Sequence, residues 1–274
     1  PMCKSLMHSP YGLSQPGHFA QTPYRALQES DPGPGREVCK TSSPALGRES
    51  GFRVEKEAKV GLADRVVWVG LEYRYMPVTE QLLQRVAANE VGDVKMISIR
   101  EHRFPFLKKV GDWNRFNKNT GGTLVEKCCH FFDLMCIAAN SEPRQVFASG
   151  SQSVNHLDES YGGLTPDILD NAFVVVDFEN GVRAHLDLCM FAEASRNEQE
   201  ISVVGDIGKV EALVSEGVLR VGRRADGIGR VTERPIHDGT IRHVGYHHGA
   251  SYLEHVGFRN AIIDATPPAV TLGD

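Results

Sequence analysis

Apolar residues recur along this chain in two rhythms. Between Thr79 and Asn89, Leu82, Leu83 and Val86 share one helical face, which predicts a helix with Thr79 as its N-cap. From Asp93 to Phe104 the period becomes two. Val94, Met96, Ser98 and Arg100 alternate with Lys95, Ile97 and Ile99, predicting a strand. The helical rhythm returns at Leu124, Val125, Cys128, Phe131, Phe132, Met135 and Cys136, predicting one helix over 121–139. Strands follow at about 144–154, 171–178, 182–191, 199–205, 208–214 and 217–222, and then a helix at about 248–264. Asn180-Gly181 is a strong hairpin signal, and Ile207-Gly208 marks a second tight reversal. This order of elements predicts an α+β fold: a large, predominantly antiparallel sheet covered by helices on one face.

Residues 1–58 carry no such rhythm. Seven of the 14 prolines fall at 1, 10, 16, 23, 32, 34 and 44, among Ser, Gly and Gln. A segment of this composition buries too little apolar surface to offset its ordering entropy, so it is expected to be disordered. Asp31-Pro32-Gly33-Pro34-Gly35 reads as a turn-rich break, because no strand precedes it and no helix follows. Pro1 in place of Met suggests a processed or incomplete start. A short helix is expected at 52–63. Arg65–Gly70 is a β-branched apolar run of the buried-strand type, which begins the folded region at 59–274.

The chemistry gathers where the long loop Phe104–Asn119, which carries Trp113, meets the central helix through Gly121-Gly122. Paired glycines let a ligand approach the backbone closely. Glu126, His130 and Asp133 then share a helical stripe, being three or four residues apart. A carboxylate one turn from an imidazole can fix its tautomer, and the imidazole can move a proton near neutral pH. The plainer alternative is a core helix with a solvated Glu/His pair. Arg74 is a candidate to hold a hydroxyl or carboxylate in its rigid fork of donors, against an equal alternative of pairing with a helix carboxylate.

The 274 residues carry a formal charge of −5, which gives no reason to expect nucleic acid or an anionic membrane as partner. No run approaches the roughly 18 apolar residues of a membrane helix, and no secretory leader is visible. Six cysteines at 3, 39, 128, 129, 136 and 189 form no CxxC pair, as expected for reduced thiols of a cytoplasmic protein. His243, His247, His248, His255 and Glu254 with Cys128 and Cys129 invite a zinc reading. Neither HExxH nor the short spacings of zinc ligands occur, so no metal is expected. Apolar residues on both faces of 171–222, such as Phe173 and Val175 beside Val174 and Val176, predict a homodimer through the open sheet face.

Trp113, Gly121-Gly122, the acid at 126, His130 and Asp133 resemble the signature of the Gfo/Idh/MocA oxidoreductases, which include glucose–fructose oxidoreductase and inositol dehydrogenase. Val67–Pro77 resembles that family's crossing into its substrate domain, and His248–His255 with Thr266–Val270 its late helix and turn. The likeness runs over about 60–274, with Glu126 where Asp is usual and Thr123 where a third Gly is usual. It implies an NAD- or NADP-dependent oxidoreductase acting on a sugar, inositol or similar polyol. In that reading His130 takes the hydroxyl proton and Glu126 orients it or binds the neighbouring hydroxyl. Tyr73, Arg74, Trp113 and Tyr246 line the pocket. It also implies that 65–70 is the remnant last strand of a cofactor domain for which 1–58 leaves no room, so that binding of NAD(P) by this chain alone is in doubt. The family's Glu-Lys-Pro lysine has no counterpart: Glu55-Lys56 lacks the proline, and Lys127 reads as a coincidence inside the central helix. The alternative implied is a non-catalytic module for substrate binding and dimerisation.

Overall fold

The computed structural model describes residues 66–271. The disorder expected at 1–58, the helix at 52–63 and the Glu55-Lys56 dipeptide lie outside the described residues. Residues 66–70 form no strand, contrary to expectation. Among the described residues no strand pairs with them: Val69 N–H donates to Val270 O at 3.3 Å, and Trp68 packs its ring beside Tyr75 and Phe258.

A 3-10 turn at Glu72–Tyr75 leads into helix α1, Pro77–Ala87. Thr79 does not cap it. Met76 is the N-cap and Pro77 occupies the first turn, where a missing N–H costs nothing. Strand β1 is Val94–His102. A 3-10 segment at Val110–Arg115 and short helix α2, Asn117–Thr120, break up the loop expected there. The single helix expected over 121–139 is two, α3 at Thr123–Glu126 and α4 at Cys129–Ala139. The ladder loosens between them, with Cys128 N–H reaching back to Thr123 O at 3.2 Å. Strands β2 Pro143–Ser151, β3 Asn171–Phe178, β4 Arg183–Cys189, β5 Gln199–Gly205, β6 Gly208–Leu213 and β7 Val218–Arg223 follow. Strand β8, Val231–Pro235, is additional to the sequence expectation, and helix α5 spans Ala250–Ile263.

The eight strands form one sheet in the order β2-β3-β4-β1-β5-β6-β7-β8. All neighbours run antiparallel except β1 and β4, which are parallel. The first strand in sequence is therefore a central one, with Ile99 opposite Leu186 on one side and Ile201 on the other. One face of the sheet presents Ile97, Ile99, Val174, Val176, Leu186 and Val203, all buried with Val78 and Leu82 of α1 and Phe131, Leu134 and Met135 of α4 in a single core. Each such side chain, fully buried, contributes about 1.5–3 kcal/mol. The opposite face leaves Met96, Phe147, Phe173 and Val175 exposed.

The Asn180-Gly181 hairpin forms as expected. Gly181 takes φ +85°, and Asn180 Nδ2 donates to Ala139 O at 2.9 Å, tying the turn to the end of α4. Gly121 and Gly122 also have positive φ. A Cβ on Gly121 would sit 2.9 Å from Cβ of Val125, and one on Gly122 would strike Asn117 Oδ1. Both glycines thus serve the tight α2–α3 connection itself.

Candidate functional site

Four stretches converge around one aromatic ring. The 3-10 turn places Tyr73 inside the core, at 2% exposure. The His130 ring, in the first turn of α4, stacks on it at 4.4 Å between centroids and 13° between planes. Phe131 meets Tyr73 edge-on at 5.4 Å, and His247 tilts against it at 5.6 Å. His130 Nδ1 is buried with no hydrogen-bond partner among the described residues. Burial first, then the nearby Lys127 charge, push the imidazole down to about 4, with Glu72 opposing and His247 reinforcing. His130 is therefore neutral at physiological pH.

Behind Tyr73 lies a buried charge network. Lys127, only 6% exposed, hydrogen-bonds the Tyr73 hydroxyl and sits 4.6 Å from its ring centroid. Its Nζ is 3.1 Å from Glu101 Oε1, an ion pair outside good hydrogen-bond alignment, and Glu101 itself is fully buried. Gln199 Nε2 donates to the other Glu101 oxygen at 2.8 Å, and Arg103 stands 3.6 Å from the first. In front, Glu72 Oε1 is 2.7 Å from His247 Nδ1, and its other oxygen accepts from Ser251. Burial would raise Glu72, but the His247 and Ser251 hydrogen bonds outweigh it and hold the carboxyl below its usual range.

Of the residues picked out from sequence, the structure brings His130 and Tyr73 together. Arg74 is clamped by Asp133, Nε to Oδ2 at 2.7 Å and Nη2 to Oδ1 at 2.5 Å, the ion-pair alternative. The helix breaks between Glu126 and His130. Glu126 instead accepts from Lys109 at 2.9 Å, and the same ammonium lies 4.8 Å from the Trp113 ring centroid. Tyr246, before α5, is 81% exposed. An apolar cavity of about 310 Å³ between α4 and the β2–β3 edge, lined by Phe132, Met135, Val146, Val174 and Phe178 among others, presents no group suited to a polyol.

Sequence reasoning passed over Lys127, Glu101, Glu72 and His247 as members of one site. A signal existed for Glu101, since it continues the Ile97, Ile99 phase of β1 and so must point into the core. Among the described residues no group of His, Cys, Asp or Glu gathers as metal ligands, and no helix is long and apolar enough to cross a membrane. Burial raises Cys128 and Cys129 and pushes Cys136 up to about 11, so these side chains remain thiols near neutral pH.

Residues 84–274 match the family described as "Oxidoreductase family, C-terminal alpha/beta domain". The YteT protein of Bacillus subtilis (strain 168) is 28% identical over 116 residues, 40% of this chain and 26% of YteT. An oxidoreductase domain protein from Kribbella flavida superposes with a TM-score of 0.66 at 17% identity, over 82% of this chain and 64% of that one. A levoglucosan dehydrogenase in complex with NADH and levoglucosan gives 0.65 at 16% identity, over 82% and 64%. The chain thus spans about a quarter of the curated relative and under two thirds of these solved structures. With the family match covering most of the chain, and with this sheet and helix arrangement, the protein belongs to the Gfo/Idh/MocA oxidoreductase family through its C-terminal α/β domain.

Proposed function

We propose that this domain is the substrate-binding part of an NAD(P)-dependent oxidoreductase acting on a CH–OH group of a sugar, inositol or similar polyol, with His130 exchanging the hydroxyl proton. The observation that carries this reading is the placement of His130: its ring is stacked on Tyr73, and its buried Nδ1 has no hydrogen-bond partner among the described residues. A buried polar atom left without a partner costs about 1–3 kcal/mol, which a bound hydroxyl would recover. Glu126 Oε2 is likewise buried without a partner among the described residues, which suits it to a neighbouring hydroxyl. Levoglucosan dehydrogenase, an oxidoreductase of the same fold, is recorded with a sugar derivative and NADH.

A dinucleotide needs a glycine turn between a strand and a helix N-terminus to cradle its pyrophosphate. Among the described residues β1 is the first strand in sequence and no such turn follows it, so these residues do not fit the cofactor. The open sheet face bearing Phe147, Phe173 and Val175 supports the second reading, a dimerising module that binds substrate without catalysis. Calorimetric titration with myo-inositol and glucose tests the proposal, beside an absorbance assay with NAD and NADP. Polyol binding that His130→Ala abolishes is the expected result. Binding that is the same in both proteins, or absent from both, overturns it.

A further inference from the structure

We infer that Lys127 is a positioning residue of the His130 site: pinned between Glu101 and the Tyr73 hydroxyl, it fixes the ring on which His130 stacks and keeps a positive charge beside the imidazole. This rests on the reading of His130 as the proton-exchanging group. Its grounds are geometric. A lysine inside a core needs a counter-ion, because an isolated buried charge is very costly. Glu101 supplies it at 3.1 Å, from a core-facing position in β1 that is itself fully buried. The Tyr73 and Phe131 rings, 4.6 and 5.9 Å from Nζ, add faces that favour a cation. The α3–α4 break lies at Lys127 and Cys128, where an unbroken helix would have continued the ladder. Local regularity gives way at the residue whose side chain joins the network.

The chain of contacts is continuous. Glu101 holds Lys127, Lys127 holds the Tyr73 hydroxyl, and Tyr73 holds the His130 plane. The groups facing His130 are Lys127, Tyr73, Glu72 and His247. Those facing Lys127 are Glu101, Arg103, Cys128 and Tyr73. Lys127 is thus a cation near the imidazole whose charge acts with burial, the larger cause, against protonation of the ring, while Glu72 opposes both.

The test follows the His130 imidazole by NMR as pH is lowered, with no substrate or cofactor present. Removing Lys127 alone leaves the Glu101 charge only the more distant Arg103, 3.6 Å away, so the informative variant is Glu101→Gln/Lys127→Met, which replaces the ion pair with neutral side chains of similar size. Its His130 midpoint is expected to rise by about one pH unit from about 4. Lys127→Arg, which keeps the charge, is expected to stay within a few tenths of the parent. His247→Gln shows how much of the midpoint belongs to the other side of the ring. An unchanged midpoint in a folded Glu101→Gln/Lys127→Met protein overturns the inference, as does an equal rise in Lys127→Arg. Loss of the polyol reading would show instead in the calorimetry, and would leave this titration result standing by itself.

Discussion

Lowering the pH should unfold this domain partly through one side chain. The His130 imidazole titrates at about 4 in the folded protein and at 6.5 when free of its surroundings. A base with a depressed folded value stabilises the fold above its unfolded value. That contribution drains away as pH falls from 6.5 toward 4, because the unfolded chain binds the proton first. At 1.36 kcal/mol per pH unit the whole gap is worth roughly 3 kcal/mol, of which about 2.5 kcal/mol is already lost at pH 4.5. Glu72 runs in the same direction, since its lowered carboxyl also loses stabilisation on acidification, so the wild-type slope alone does not isolate His130. The measurement is therefore urea unfolding at pH 7.5, 6.0 and 4.5 for the parent and for His130→Gln. The variant loses the Tyr73 stack at every pH, which lowers both ends of its curve. The parent should lose about 2–3 kcal/mol more than the variant between the highest and lowest pH. Parallel curves would mean that His130 titrates as an ordinary imidazole, and the assignment of a neutral, buried proton acceptor would fall with it.

Two further outcomes follow from the same geometry. Glu101→Gln, which leaves Lys127 buried without a carboxylate, should cost about 3–5 kcal/mol in urea unfolding, and Lys127→Met less, because Arg103 still stands 3.6 Å from Glu101. The double substitution should cost much less than their sum, and strict additivity would show that the pair is not coupled. Phe173, 60% exposed on the open sheet face beside Val175, should anchor self-association; light scattering at micromolar concentration should show a dimer that Phe173→Asp converts to monomer, and a parent that is already monomeric would count against it.

The strands were legible because burial imposes a strict period of two. Val174 and Val176 lie inward and Phe173 and Val175 outward, as alternation requires, and the Asn180-Gly181 turn sets their pairing to β4. Strand β8 was not legible because all five of its residues are exposed, so no core selects an alternation. Nor was the central place of β1, since the crossover that makes β1 and β4 parallel is a property of the packed sheet, not of either strand. The Thr79 cap was an error of rule: Pro77 at the first helical position was the stronger signal.

The central helix failed for a different reason. Its apolar positions from Leu124 to Cys136 are compatible with one continuous helix, and propensity alone cannot tell that from two. At the break stands a contact 26 positions away in sequence, Lys127 to Glu101, which no local window contains. Yet each partner is anomalous in its own setting. Glu101 is a charge in phase with Ile97 and Ile99, and Lys127 adjoins Cys128, which is fully buried. An acid and a base, each set on an apolar face, are costly alone and tolerable together, so two such anomalies in one domain are grounds to expect that they meet. Places where local rules yield are where function or strain is to be sought. Here the two anomalies meet behind Tyr73, and the ring they hold is the one on which His130 rests.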